Sequence, residues 1–393
     1  MPVTLICLAL GAALQLALLR RLAPSALVGD ENEYALPADR LPLAAWVRVP
    51  LHRGLMQAAI RLWPSAPAVH GARLFVGVQA LAALGLVTGY AEVRWGALPA
   101  ALAGALLLLS LERAILALHL WPDTAIGLCW LAAALLVGRD DSAAALALAA
   151  VGGVALGLRI EGAALCAVAV AQPLAQGEPS DAALAAALCS GVAALYMAWN
   201  RHLSGRWQLD STIGFNLRVA RIDAATPTSP VAETMRRALA QTGAAPRSPA
   251  RRHLTRLAAR LRALLGPETF VTQALLQTGA ARYGGGWRPD RPLVALALRH
   301  WFSLSMGLTL LLLPFAAPGR AALLGLAALV YALLVVRSRY RMALMPLMAL
   351  ICAEGLHAAQ PDPQGWLAGL TGVLLLALVL WRAPRTDEIR QSA

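Results

Sequence analysis

Residues 143–176 read AAALALAAVGGVALGLRIEGAALCAVAVAQPLAQ. Two apolar blocks, 143–158 and 162–176, flank the very short link Leu158-Arg159-Ile160-Glu161. Each block is near the length of about 17–25 residues that an α-helix needs to span a bilayer. A helix on the surface of a soluble protein has one apolar stripe and one polar face. These blocks are apolar all round, and the charges of the stretch sit in the link. The pattern predicts two membrane-crossing helices joined by a charged bend.

The same pattern repeats outward in both directions. Further apolar blocks fall at about 2–19, 72–91, 96–111, 122–138 and 182–199, then at about 293–315, 320–336, 342–357 and 366–381. The chain of 393 residues is 59% hydrophobic and 14% charged, with a mean hydropathy of +0.62. Soluble domains carry about 25% charged residues. The fold expected is all-α and polytopic, with about eleven spans. The first block lacks a basic start and a small-residue cleavage site, so it reads as a retained span. The five cysteines lie inside apolar blocks without metal-ligand spacing and read as small core hydrophobes.

Two polar regions interrupt the blocks and divide the chain into three parts. Residues 1–199 form an N-terminal membrane module with an external loop at 20–70. Its stretch Pro37–Trp63, rich in Pro, Arg and Trp, suits an interfacial helix. Residues 200–291 form an extracytoplasmic region with no window apolar enough to span. Within it, Arg251–Leu265 alternates arginine and leucine at helical spacing and reads as a surface helix. Tyr283-Gly284-Gly285-Gly286-Trp287 is a flexible aromatic turn. Residues 292–393 return to membrane helices and a short tail.

The formal charge is +13, and all 34 basic residues are arginine. The arginines lie between spans, which favours lipid headgroups or a phosphorylated lipid over nucleic acid. Guanidinium forks bind phosphate and carboxylate bidentately. Against this basic background stands one acidic cluster, Val28-Gly29-Asp30-Glu31-Asn32-Glu33-Tyr34, directly after the first span. With a cytoplasmic N-terminus, Asp30, Glu31, Glu112, Asp123, Arg159, Glu161 and the run Arg337–Arg341 all fall on the external side. Charge in the short loops alone leans weakly the other way.

Five stretches in this order resemble the motifs of the GT-C superfamily of integral-membrane glycosyltransferases. They are Gly29-Asp30-Glu31-x-x-Tyr34, Leu51-His52-Arg53-Gly54-Leu55 and Trp121-Pro122-Asp123-Thr124, then Gly153-x-x-x-Gly157-Leu158-Arg159 and Arg339-Tyr340-Arg341-x-x-x-x-Pro346. The branch that they resemble most includes the protein mannosyltransferases that use dolichyl-phosphate-mannose and the aminoarabinose transferases of lipid A. Two departures stand out. His52 is followed by Arg-Gly where the family has Pro-Pro, and the chain has no room for a large C-terminal soluble domain. The resemblance implies a polyprenyl-phosphate-linked monosaccharide as donor. It also implies a glycan, lipid or protein acceptor, and a bacterial cytoplasmic membrane with the site facing outward.

The chemistry follows from the donor class. Phosphate is a good leaving group, so no acid need protonate it. A base must take the acceptor's proton, and cations must meet the charge that develops on the phosphate. Asp30 is the expected base, with Glu31 beside it. Arg159, and Arg339 or Arg341, are the expected phosphate clamp. Tyr34 and His52 are expected to line the site. Glu112 and Asp123 are expected to position the sugar or a divalent ion; no cofactor is otherwise required. His119, His300 and His357, near span ends, read as structural. Two rivals use the same arginines. A flippase for a polyprenyl-linked glycan would need deep ionisable residues and inverted repeats. A lipid-diphosphate polymerase or ligase would favour a base in a large late loop.

Overall fold

The computed structural model describes residues 1–22, 31–35, 49–63, 69–210, 264, 292–333, 338–359 and 363–381. These residues are all-helical, with no strand among them. The N-terminal module runs α1 (Pro2–Leu22), α2 (Glu31–Ala35), α3 (Pro50–Leu62), α4 (His70–Trp95), α5 (Ala97–Leu108) and α6 (Leu111–Leu116). It continues with α7 (Asp123–Leu136), α8 (Ser142–Leu158), α9 (Ala163–Gln176) and α10 (Pro179–Ser204). The C-terminal module has α11 (Pro292–Leu312), α12 (Pro318–Leu333), α13 (Met345–Ala358) and α14 (Pro363–Trp381). Short 3₁₀ turns occupy Ile160–Gly162, Leu313–Phe315 and Ser338–Leu344.

Four stretches are long and apolar enough to cross a membrane: Pro2–Arg20, His70–Trp95, Pro179–His202 and Tyr340–Ala358. Six shorter apolar helices accompany them. The apolar blocks of the sequence become helices nearly in register. One differs. The block at 96–111 breaks at Leu109–Ser110, and Ser110 begins the separate helix α6 by accepting the Arg113 backbone N–H at 3.4 Å. Glycine punctuates where the backbone must turn left-handed: Gly96 (φ +93°) separates α4 from α5, and Gly177 (φ +81°) ends α9. Pro179 then starts α10 at a position where its missing N–H costs nothing.

Polar residues gather at two ends of the bundle. At one end Glu92, in the last turn of α4, accepts the backbone N–H groups of Val3 and Thr4 (3.2 and 2.9 Å) and the Thr4 hydroxyl at 2.6 Å. It thereby caps the start of α1 and fixes α1 antiparallel to α4. At the same end Arg320 donates to Glu354 Oε1 (2.6 Å), the Tyr90 hydroxyl (3.0 Å) and the Ala134 carbonyl (3.0 Å). His357, read from sequence as structural, stacks on Trp95 here. This layer ties α4, α7, α12 and α13 together and leaves their other ends to converge.

Between the two ends the core is apolar and dense. Leu84, Val87, Ile126, Trp130, Leu131, Leu148, Leu347, Met348 and Leu350 are all buried. Small residues let the helices close: a Cβ on Gly127 would meet the Ala343 carbonyl at 3.0 Å, so α7 lies directly on the 338–344 turn. All five cysteines are free, four of them buried and Cys166 half-buried, in keeping with their reading as core hydrophobes.

Candidate active site

At the opposite end, seven separate stretches bring charged and polar side chains into one buried layer. The start of α4 supplies Arg73, and α6 supplies Glu112 and Arg113. The segment into α7 supplies His119, Trp121 and Asp123. The α8–α9 bend supplies Arg159 and Glu161, and the 338–344 turn supplies Tyr340 and Arg341. The short helices α2 and α3 add Glu31, Tyr34 and His52.

Glu31 is wholly buried and accepts the Leu120 backbone N–H at 2.9 Å. His119 Nδ1 lies 3.3 Å from Glu31 Oε1, and an Arg73 nitrogen 3.9 Å from Oε2. His52 engages the same backbone residue from the other side, its Nε2 2.9 Å from the Leu120 carbonyl. A carbonyl only accepts, so Nε2 carries the ring proton and Nδ1 is left as a lone-pair acceptor. That Nδ1 is buried and has no hydrogen-bond partner among the described residues. Burial pushes the His52 pKa down to about 4; the bond to Leu120 and the nearby Asp123 charge offset only part of this. Tyr34 packs edge-on against the His52 ring, 4.8 Å between centroids, and His119 stacks flat on Trp121.

The α8–α9 bend is built around Arg159. Its backbone is extended (φ −155°, ψ 147°), which stops α8 and turns the guanidinium into the layer. Nε and Nη2 fork onto Glu161 at 3.1 and 2.5 Å, and Nη1 donates to Asp123 Oδ1 at 3.0 Å. The guanidinium also lies over the Tyr340 ring, 4.1 Å from its centroid. Burial alone would lower the Arg159 pKa, but Glu161, Tyr340 and Asp123 outweigh it and hold it well above the ordinary value. Gly162 makes the bend this tight: a Cβ there would overlap the backbone of Ala155 and Leu156.

Arg341 is wholly buried, donates to Glu112 Oε2 at 3.0 Å and lies over the Phe302 ring. Arg113 points instead to α4 and donates to the Ala80 carbonyl at 2.7 Å.

The sequence-predicted residues Glu31, Tyr34, His52, Glu112, Asp123, Arg159 and Arg341 thus all lie in this layer. Asp30, the stretch 251–265 apart from the buried Leu264, and the stretch 283–287 lie outside the described residues, as do the side chains of Glu33 and Arg339. Arg73, Arg113, His119 and Trp121 were not picked out from sequence. His119 read as structural, yet it lies against Glu31. Arg73 was not singled out within its apolar block, and Trp121 entered only as the first residue of a motif. Their common signal was polarity beside a predicted motif: His119 and Trp121 immediately precede Asp123, and Arg73 begins the span after the interfacial helix. Among the described residues no three His, Cys, Asp or Glu side chains converge as a metal would require. Glu112 and Asp123, expected to position the sugar or a divalent ion, are bonded to Arg341 and Arg159. No family model, no curated protein and no solved structure matches this chain.

Proposed function

We propose that the chain is an inverting glycosyltransferase of the GT-C type that moves a monosaccharide from a polyprenyl-phosphate donor to a lipid, polysaccharide or protein acceptor. One observation carries the reading. Residues from all five motif stretches, far apart in sequence, meet at one end of an apolar helical bundle as a layer of matched carboxylates and guanidinia. In this reading the bundle has about eleven spans, counting the shorter apolar helices, and the layer faces the outer side of a bacterial cytoplasmic membrane. Among the described residues the carboxylate–guanidinium groups lie at the two ends of the bundle, with the larger one at the candidate site and none at mid-depth, which suits chemistry on a lipid headgroup better than transport across the bilayer.

The reaction is a single displacement. The acceptor hydroxyl oxygen attacks the anomeric carbon, the bond from that carbon to the phosphate oxygen breaks, and the configuration inverts. Asp30 takes the hydroxyl proton. The phosphate leaves with the bonding electron pair, and Arg159 with Arg339 or Arg341 stabilises its charge. Glu31 anchors the acidic segment on Leu120, next to the proposed base. His52 Nδ1 is a neutral acceptor suited to a substrate hydroxyl, while Asp123 and Glu112 hold the guanidinia in place. The test is sugar transfer from a synthetic polyprenyl-phosphate donor by the purified chain in proteoliposomes, with release of polyprenyl phosphate as the readout.

A further inference from the structure

Among the described residues the layer holds four guanidinia, those of Arg73, Arg113, Arg159 and Arg341, and Arg113 is the one that none of its carboxylates contacts. Arg73 faces Glu31, Arg159 faces Asp123 and Glu161, and Arg341 faces Glu112. At the far end Arg320 faces Glu354. Arg113 is also buried, yet its partner is the neutral Ala80 carbonyl, and no carboxylate pairs with it among the described residues. Buried charges are ordinarily paired, because an unpaired one forfeits its hydration without return. A cation kept in that state needs a partner from elsewhere.

Its surroundings indicate where the partner would come from. Arg113 lines a narrow cavity with Ala83, Leu116, Asp123, Thr124 and Met342. The cavity has room for about one water. Its walls are apolar except at Arg113, Asp123 and Thr124, and Asp123 shares the Arg159 guanidinium with Glu161. An anionic oxygen that displaced such a water would find one free guanidinium face and one hydroxyl. Burial pushes the Arg113 pKa down to about 10, so the group stays charged at neutral pH.

We infer that Arg113 is a further substrate-binding residue, which takes an oxygen of a phosphate group at the inner edge of the polar layer. In the proposed reaction, on which the identity of that phosphate rests, Arg113 meets the leaving polyprenyl phosphate alongside the clamp of Arg159 and Arg339 or Arg341. Arg113 is then held at a cost to the ligand-free fold and recovers it on binding.

The test compares the full-length wild-type chain with Arg113→Met in detergent. Each is titrated with a polyprenyl phosphate, the matching polyprenol and dioleoyl phosphatidic acid, following Tm and affinity. Wild type should prefer the polyprenyl phosphate over the polyprenol by roughly tenfold or more. Arg113→Met should be at least as heat-stable without ligand and should lose most of that preference. Arg113→Met that is destabilised or fails to fold overturns the inference in favour of a purely structural arginine. So does a stable Arg113→Met that keeps the preference. A preference lost in Arg113→Met but equal for phosphatidic acid keeps Arg113 as a phosphate residue and removes the polyprenyl donor. A preference lost in Arg113→Met with no sugar transfer by wild type keeps Arg113 and overturns the transferase. No preference in wild type overturns both.

Discussion

Glu31 reaches across 89 residues of sequence to accept the Leu120 backbone N–H at 2.9 Å. That bond ties the short helix after the first span to the segment that introduces Asp123. Glu31→Ala should therefore cost about 3–5 kcal/mol, the usual effect of removing one member of a buried ionic group. Glu31→Gln keeps an acceptor for Leu120 and should cost less, about 1–3 kcal/mol. Thermal and denaturant unfolding in detergent measures both, and equal losses for the two variants would show that the Leu120 bond carries little.

His52 makes stability depend on pH. Its folded pKa of about 4 lies below the ordinary value of 6.5. Between those values the unfolded chain binds the proton and the folded chain does not, so stability rises with pH. The contribution is complete above about 6.5 and is lost as pH falls towards 4, roughly 3 kcal/mol in all. His52→Gln, whose amide can still donate to the Leu120 carbonyl, should flatten this part of the profile. An unchanged slope between pH 4 and 6.5 would place the titrating group elsewhere.

The Arg341–Glu112 pair is suited to a double-mutant cycle. Arg341→Met removes the 3.0 Å partner of a buried carboxylate and should cost about 3–5 kcal/mol. Adding Glu112→Gln should recover about 0.5–3 kcal/mol of that loss through the coupling of the two residues. Transfer should stay abolished in the double variant even as stability returns. Recovery of turnover along with stability would make the pair a scaffold only.

Gly162 links packing to chemistry. Gly162→Ala puts a methyl group into the backbone of Ala155 and Leu156 and should cost about 1–3 kcal/mol by overpacking. The shift falls on the bend that carries Arg159 and Glu161, so affinity for the donor should weaken with little change in helix content. Circular dichroism and donor binding, measured together, separate the two effects.

The helices were legible in the sequence because their signal is local. The blocks at 143–158 and 162–176 became Ser142–Leu158 and Ala163–Gln176, since apolar composition over one span length is all that such a helix needs. The break at Ser110 was not legible: an unbroken leucine run hides a cap whose only mark is one serine. The site was half legible. Arg159 and Glu161 are two residues apart, and their pairing could be read from their spacing. Arg73 and His119 find Glu31 42 and 88 residues away, and their charges look incidental until the helices are packed. The state of each arginine was not legible at all. Which guanidinium is neutralised depends on directions that no motif encodes, and so Arg113 received no role from sequence.

The central claim is that the acidic segment after the first span supplies the base for glycosyl transfer. It is tested most directly by turnover with a synthetic polyprenyl-phosphate-sugar donor in wild type and Asp30→Asn, at matched stability and donor affinity. The account predicts that Asp30→Asn binds the donor but loses at least about 10²-fold in turnover, the scale of a missing general base. Near-full turnover by a folded Asp30→Asn would contradict it.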